Sequence, residues 1–140
     1  MESGQDNNKF VRTAKDGKRR KTFSLLQAFK CAGNGFAYTF TSQRNLKIQF
    51  CFAIAAILLG FAFQIQLAEW LAIVICIALV FALECVNTAI ESAVDLVCHE
   101  WQELAMHAKD CAAAAVYVCA IASLVVAAII FLPKICSLFM

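Results

Sequence analysis

The sequence predicts an all-α membrane protein, built from an amphipathic surface helix followed by three transmembrane helices. Three observations carry that prediction. The 140 residues are 62% hydrophobic with a mean hydropathy of +0.73, against roughly 45–50% apolar residues in a soluble domain. A chain this short has too little interior to hide so much apolar surface from water. Its apolar residues also fall into three long runs, each approaching the ~20 residues needed to cross about 30 Å of hydrocarbon.

Residues 1–21 are polar, charged and without periodicity, which predicts a disordered basic arm on the cytoplasmic side. With so polar a start, no cleavable signal peptide is visible. From residue 22 to about residue 46 the pattern changes. Leu25, Phe29, Ala32, Phe36 and Phe40 recur at steps of three and four, while Gln27, Lys30 and Asn34 fall on the other side. That is a helix lying in the membrane surface with its aromatic face buried, with Gly33 or Gly35 as the place for a bend. The first span is predicted over residues 48–65, and a polar turn from Gln64 to Glu69 follows. The second span, residues 70–98, opens at Trp70 and is apolar through Leu83. A polar stretch from His99 to Asp110 leads to the third span, residues 108–132, which carries no charge from Cys111 to Leu132. The membrane domain is thus residues 22–133, leaving 134–140 as a short extracytoplasmic tail.

The net charge is only +2, but ten of the twelve Lys and Arg residues lie at or before Lys47. With a cytoplasmic N-terminus, every basic residue except Lys134 stays inside, as the positive-inside rule favours. This orients a multi-pass membrane protein with its N-terminus inside. The run Lys18-Arg19-Arg20-Lys21 reads as a retention signal beside anionic headgroups, and no nucleic-acid partner is expected. None of the eight cysteines forms a CxxC pair, and Cys51, Cys76, Cys85, Cys111 and Cys119 sit inside apolar runs, where they serve as small apolar residues.

The second span departs from its apolar character at its cytoplasmic end. At 100° per residue, Asn87, Glu91 and Asp95 lie at about −60°, −20° and +20° from Glu84, so all four occupy one stripe. A carboxylate at the centre of a span costs roughly 2.5–3.5 kcal/mol, and three on one stripe should therefore face protein, metal or water. One reading is a polar zipper or a proton or ion pathway through a non-enzymatic oligomer. The other is a site, with two carboxylates holding Mg²⁺ and the deeper one accepting a proton. Lys109-Asp110 stands across the cytoplasmic turn. A lone lysine there ordinarily snorkels to the interface, although its nearness to carboxylates also suits it to phosphate. His99 and His107 read as loop residues with no partner spaced to join them at a metal.

The segment Glu84 to Asp95, E-C-V-N-T-A-I-E-S-A-V-D, resembles the prokaryotic diacylglycerol kinase signature, E-x-x-N-[ST]-A-I-E-x-x-x-D. Ala108 to Val116, A-K-D-x-A-A-A-A-V, matches it further at the family's spacing. The resemblance covers about residues 23–133 and implies a homotrimer that transfers the γ-phosphate of ATP to a lipid hydroxyl. By motif position it implies Glu84 as general base, Asn87 as its orienting partner and Glu91 as ligand to the Mg²⁺ that accompanies ATP. It also implies that Asp95, Glu100, Trp101, Gln102, Lys109 and Asp110 meet the nucleotide, with Lys109 against the phosphates. Phe36 and Phe40 would join Glu84 along the lipid substrate.

The chain departs from the family pattern at one position. Where the family commonly has a metal-binding glutamate in an E-R-N-like stretch, this sequence reads Gln43-Arg44-Asn45, and an amide there neutralises no charge. The basic N-terminal extension, the Arg-Asn-Leu-Lys segment and the F-L-P-K-I ending resemble the undecaprenol kinase branch more than the diacylglycerol kinases. Undecaprenol is therefore the expected substrate and diacylglycerol the alternative.

Overall fold

The computed structural model describes residues 24–139 as four helices in the order α1 (Leu25–Ser42), α2 (Arg44–Ala62), α3 (Leu67–Val97) and α4 (Glu103–Cys136), with no strand among the described residues. The arm expected over residues 1–21 lies outside them. The chain divides into two units, Met1–Gly33 and Asn34–Met140. In the first, Ser24 N–H donates to Gln27 Oε1 at 3.2 Å beside exposed Leu25, Leu26 and Phe29. The contacts between helices described below lie in the second.

Helices α2, α3 and α4 are each long and apolar enough to cross a membrane. They extend past the apolar runs, since α4 starts at Glu103, within the stretch expected to be polar loop. Lipid exposure sets hydropathy, whereas backbone pairing sets helix length. The segment Glu103 to Asp110 is rich in good helix formers, and His107 there stands 3.6 Å from Glu103, one turn away. His107 is therefore helical and not a loop residue.

Helix α1 runs on through Gly33 and Gly35, and the chain breaks instead at Gln43 (φ −97°, ψ 118°). Just before the break, the Thr41 hydroxyl bonds back to Ala37 O (3.0 Å) and the Ser42 hydroxyl to Tyr38 O (2.8 Å), a competition with the backbone that weakens a helix. Lys47 Nζ then takes the free Thr41 carbonyl at 3.1 Å.

At the other end of α2, Ile65 N–H returns to Gly60 O (3.1 Å) and Gln64 adopts a left-handed φ of 47°. This is a Schellman cap, with glutamine where glycine is usual. Helix α3 begins at once with a capping box, Gln66 N–H donating to Glu69 Oε2 at 2.8 Å. A Cβ on Gly60 would lie 2.8 Å from the Trp70 ring, so the turn closes only because that position has no side chain. Glu69 also pairs with Lys134 of α4 at 3.2 Å. Beside this turn, Ile65, Ile73, Ile130 and Phe131 form the apolar core. The polar residues of α3 gather at the opposite end.

Candidate active site

The helix lengths set the depth of that polar end. Measured from Trp70 at 1.5 Å per residue, Glu84 lies about 21 Å along the helix, Glu91 about 31 Å and Asp95 about 37 Å. For scale, the hydrocarbon core of a bilayer is about 30 Å thick. Protein burial falls in the same order. Glu84 is 2% exposed and Asn87 6%, Glu91 is half-buried and Asp95 is exposed.

Helix α2 supplies the partners. At steps of three or four from Gln43 come Leu46, Gln49, Ala53, Ala56 and Gly60, a single helical stripe whose apolar members are buried or partly buried. Its two polar members each donate an amide N–H to a carboxylate on α3. Gln43 Nε2 reaches Glu91 Oε2 at 2.8 Å, and Gln49 Nε2 reaches Glu84 Oε1 at 2.7 Å. Six residues forward on α2 match seven backward on α3, as antiparallel helices require.

Asn87 Nδ2 donates to Glu91 Oε1 at 2.9 Å, so Glu91 receives one N–H on each oxygen. The amide oxygens Asn87 Oδ1 and Gln49 Oε1 are buried with no hydrogen-bond partner. Leaving such an acceptor unpaired costs roughly 1–3 kcal/mol, and each needs a partner such as a water, a ligand or an ion. The buried Thr88 hydroxyl is spent on the Glu84 carbonyl at 2.8 Å. Asp95 pairs with Lys109 at 2.5 Å, a partly solvated contact between α3 and α4.

The carboxylates of the stripe are engaged separately. Glu84, Glu91 and Asp95 share a stripe, but each has its own partner, and no cluster of three His, Cys, Asp or Glu side chains occurs among the described residues. Two helical turns, about 10 Å, separate Glu84 from Glu91. Glu100, Trp101 and Gln102 lie in the exposed link between α3 and α4, with Trp101 78% exposed. No hydrogen bond joins them, or the exposed Asp110, to the cluster. Phe36 and Phe40 belong to an aromatic group with Phe50 and Phe81, in which Phe40 meets Phe50 edge-on at 5.5 Å and Phe36 meets Phe81 at 6.1 Å. Phe81 is one turn from Glu84. Beside Glu84, α2, α3 and α4 line a half-open cavity of about 260 Å³, whose walls include Gln49, Phe52, Val80, Phe81, Ser123 and Leu124.

Gln49 was not among the residues expected in the site. Its signal was present, since it is the one hydrogen-bonding side chain between Lys47 and Gln64 apart from the thiol of Cys51. Hydropathy alone absorbs it into the first span.

Small helical membrane proteins with a paired, buried carboxylate at the end of an apolar cavity are equipped for chemistry at the membrane interface. Residues 30–131 match the family model of prokaryotic diacylglycerol kinase. Over 116 residues the chain is 38% identical to the undecaprenol kinase of Bacillus subtilis (strain 168), covering 83% of this chain and 94% of that protein. Over 116 residues it is 39% identical to the diacylglycerol kinase of Synechocystis sp. (strain ATCC 27184 / PCC 6803 / Kazusa), covering 82% of this chain and 66% of that one. The chain belongs to the prokaryotic diacylglycerol kinase family. It is an enzyme of the lipid kinase class, with ATP as the phosphate donor that this class implies.

Proposed function

We propose that this kinase phosphorylates the hydroxyl of undecaprenol at the cytoplasmic face of a bacterial plasma membrane, as a homotrimer with a cytoplasmic N-terminus. The observation that carries the reading is Glu84, a carboxylate 2% exposed that adjoins an apolar cavity and stands two turns from the polar group around Glu91. A lipid alcohol fits that arrangement, with its chain among apolar side chains and its hydroxyl at the carboxylate. The near full-length alignment with undecaprenol kinase, against partial coverage of the diacylglycerol kinase, favours the polyprenol. A proton pathway or polar zipper is disfavoured, because the stripe is already engaged by Gln43, Gln49 and Lys109 of the same chain.

Glu84 takes the proton as the lipid oxygen bonds to the γ-phosphorus, and the bond from that phosphorus to the β–γ bridging oxygen breaks to release ADP. Gln49 holds Glu84 during the transfer. Lys109 turns from Asp95 to the phosphates, and phosphoryl transfer needs little beyond such positioning and charge neutralisation. Glu91, with the amide oxygens of Asn87 and Gln43, would supply the oxygen ligands that Mg²⁺ prefers, and the partnerless Asn87 Oδ1 is consistent with that use. Bound there with ATP, Mg²⁺ would offset charge on the phosphates. Glu100, Trp101, Gln102 and Asp110 are assigned to the nucleotide's entry side by family position.

Transfer of radiolabelled phosphate from ATP, in mixed micelles carrying undecaprenol or diacylglycerol, tests the substrate. Labelled undecaprenyl phosphate is expected in clear excess. Preferential labelling of diacylglycerol overturns the substrate assignment, and no labelling of either lipid overturns the kinase mechanism. A second prediction concerns Gln43. One more carboxylate at contact range is worth about 1 kcal/mol even at the dielectric of bulk water. Gln43→Glu therefore lowers the Mg²⁺ concentration needed for half-maximal activity at least about five-fold. An unchanged Mg²⁺ titration removes Gln43 from the metal site.

A further inference from the structure

We infer that Gln49 is a positioning residue for Glu84, setting the orientation in which that carboxylate meets the substrate hydroxyl. The inference rests on the proposed role of Glu84 and adds a residue that the family motif does not include. Gln49 occupies the packing stripe of α2 between buried Leu46 and Ala53, so its backbone is held on both sides by contacts with little room to shift. From there its Nε2 spans the gap between helices to Glu84 Oε1 at 2.7 Å. Among the described residues it is the only side chain that hydrogen-bonds to the Glu84 carboxylate.

Geometry makes the contact more than packing. A carboxylate on a flexible three-carbon stem has several rotamers, and at 2% exposure water does not select among them. One amide N–H on Oε1 fixes the plane of the group and leaves Oε2 as the oxygen free to accept a proton. Gln49 also lines the cavity beside Glu84, so the same side chain lies where the head of a lipid alcohol would arrive. Its Oε1 is buried without a partner, which leaves an acceptor beside the reacting pair. An apolar residue at this position would pack equally well in a membrane helix but would supply neither the donor nor the acceptor.

Gln49→Met keeps the length of the side chain and removes the amide. The expected result is a kcat about ten- to a hundred-fold lower, in line with loss of a hydrogen bond to a charged group. The KM for ATP stays within two-fold, and the oligomeric state is that of the parent. In a Glu84→Gln background the same substitution has no further effect, because Gln49 acts through Glu84. An unchanged kcat, or an equal loss in both backgrounds, overturns the inference. A carbodiimide that modifies protonated carboxyls in apolar surroundings provides a readout that needs no turnover. Glu84, identified by peptide mass, should be modified faster in Gln49→Met than in the parent chain. Equal modification rates overturn the inference. Should the parent chain transfer no phosphate while the rates differ, the kinase mechanism fails and the positioning of Glu84 by Gln49 stands.

Discussion

Glu84→Gln is expected to lower phosphoryl transfer by roughly two to four orders of magnitude, the range for loss of a positioned general base, while leaving the helices packed. The substitution is nearly isosteric. It replaces a carboxylate that is costly at this depth with a neutral amide, and it retains an oxygen to accept from Gln49 Nε2, now at 2.7 Å from the carboxylate. What it removes is the capacity to take a proton from a lipid alcohol. Phosphate transfer to micellar undecaprenol, ATP binding by calorimetry and oligomeric state in detergent together check the prediction. Retained transfer sinks the assignment of Glu84 as base. Loss of assembly with loss of activity would return Glu84 to the structural role of a polar zipper.

The second large effect belongs to Glu91. Both of its oxygens accept amide N–H groups, from Asn87 and from Gln43, and it is the sole carboxylate in that group. Glu91→Gln keeps the volume, removes the charge and should shift the Mg²⁺ dependence of transfer to higher concentration. The shift should be at least about 10- to 100-fold, the cost of losing even an outer-shell partner. ATP binding measured without Mg²⁺ should change little, because Lys109 is untouched. If the titration with Mg²⁺ is unmoved while kcat falls, Glu91 acts on the substrate and not through the ion.

Features of the chain that depend on local pattern were legible in its sequence. Three apolar runs announce three long helices, and the spacing of Glu84, Asn87, Glu91 and Asp95 places them on one stripe, because helical periodicity needs only neighbouring residues. Features that depend on register between helices were not legible. Gln49 looks like a stray polar residue until α2 and α3 are aligned antiparallel and it falls opposite Glu84. The same alignment gives each carboxylate its own partner, Gln49 for Glu84, Gln43 for Glu91 and Lys109 for Asp95. Gln43 stands out in the sequence as a departure from a motif, but its place at the break between α1 and α2 goes with the Thr41 and Ser42 hydroxyls that bond back to the helix before it. Hydropathy carries no record of such contacts.

The contact between Lys109 and Asp95 bears on how the enzyme turns over. A lysine that already has a counter-ion does not greet a phosphate as an unspent charge, so on the proposed assignment nucleotide capture is an exchange reaction. ATP must offer Lys109 more than Asp95 does, and the released carboxylate must then be solvated or re-partnered. The exchange blunts affinity for any single phosphate group and favours the nucleotide carrying the most negative charge. It also works in reverse. Once the γ-phosphate had left for the lipid, ADP would compete less well, and Asp95 would reclaim the lysine. A surface ion pair that adds little to stability would thereby discriminate substrate from product and hasten the product's departure.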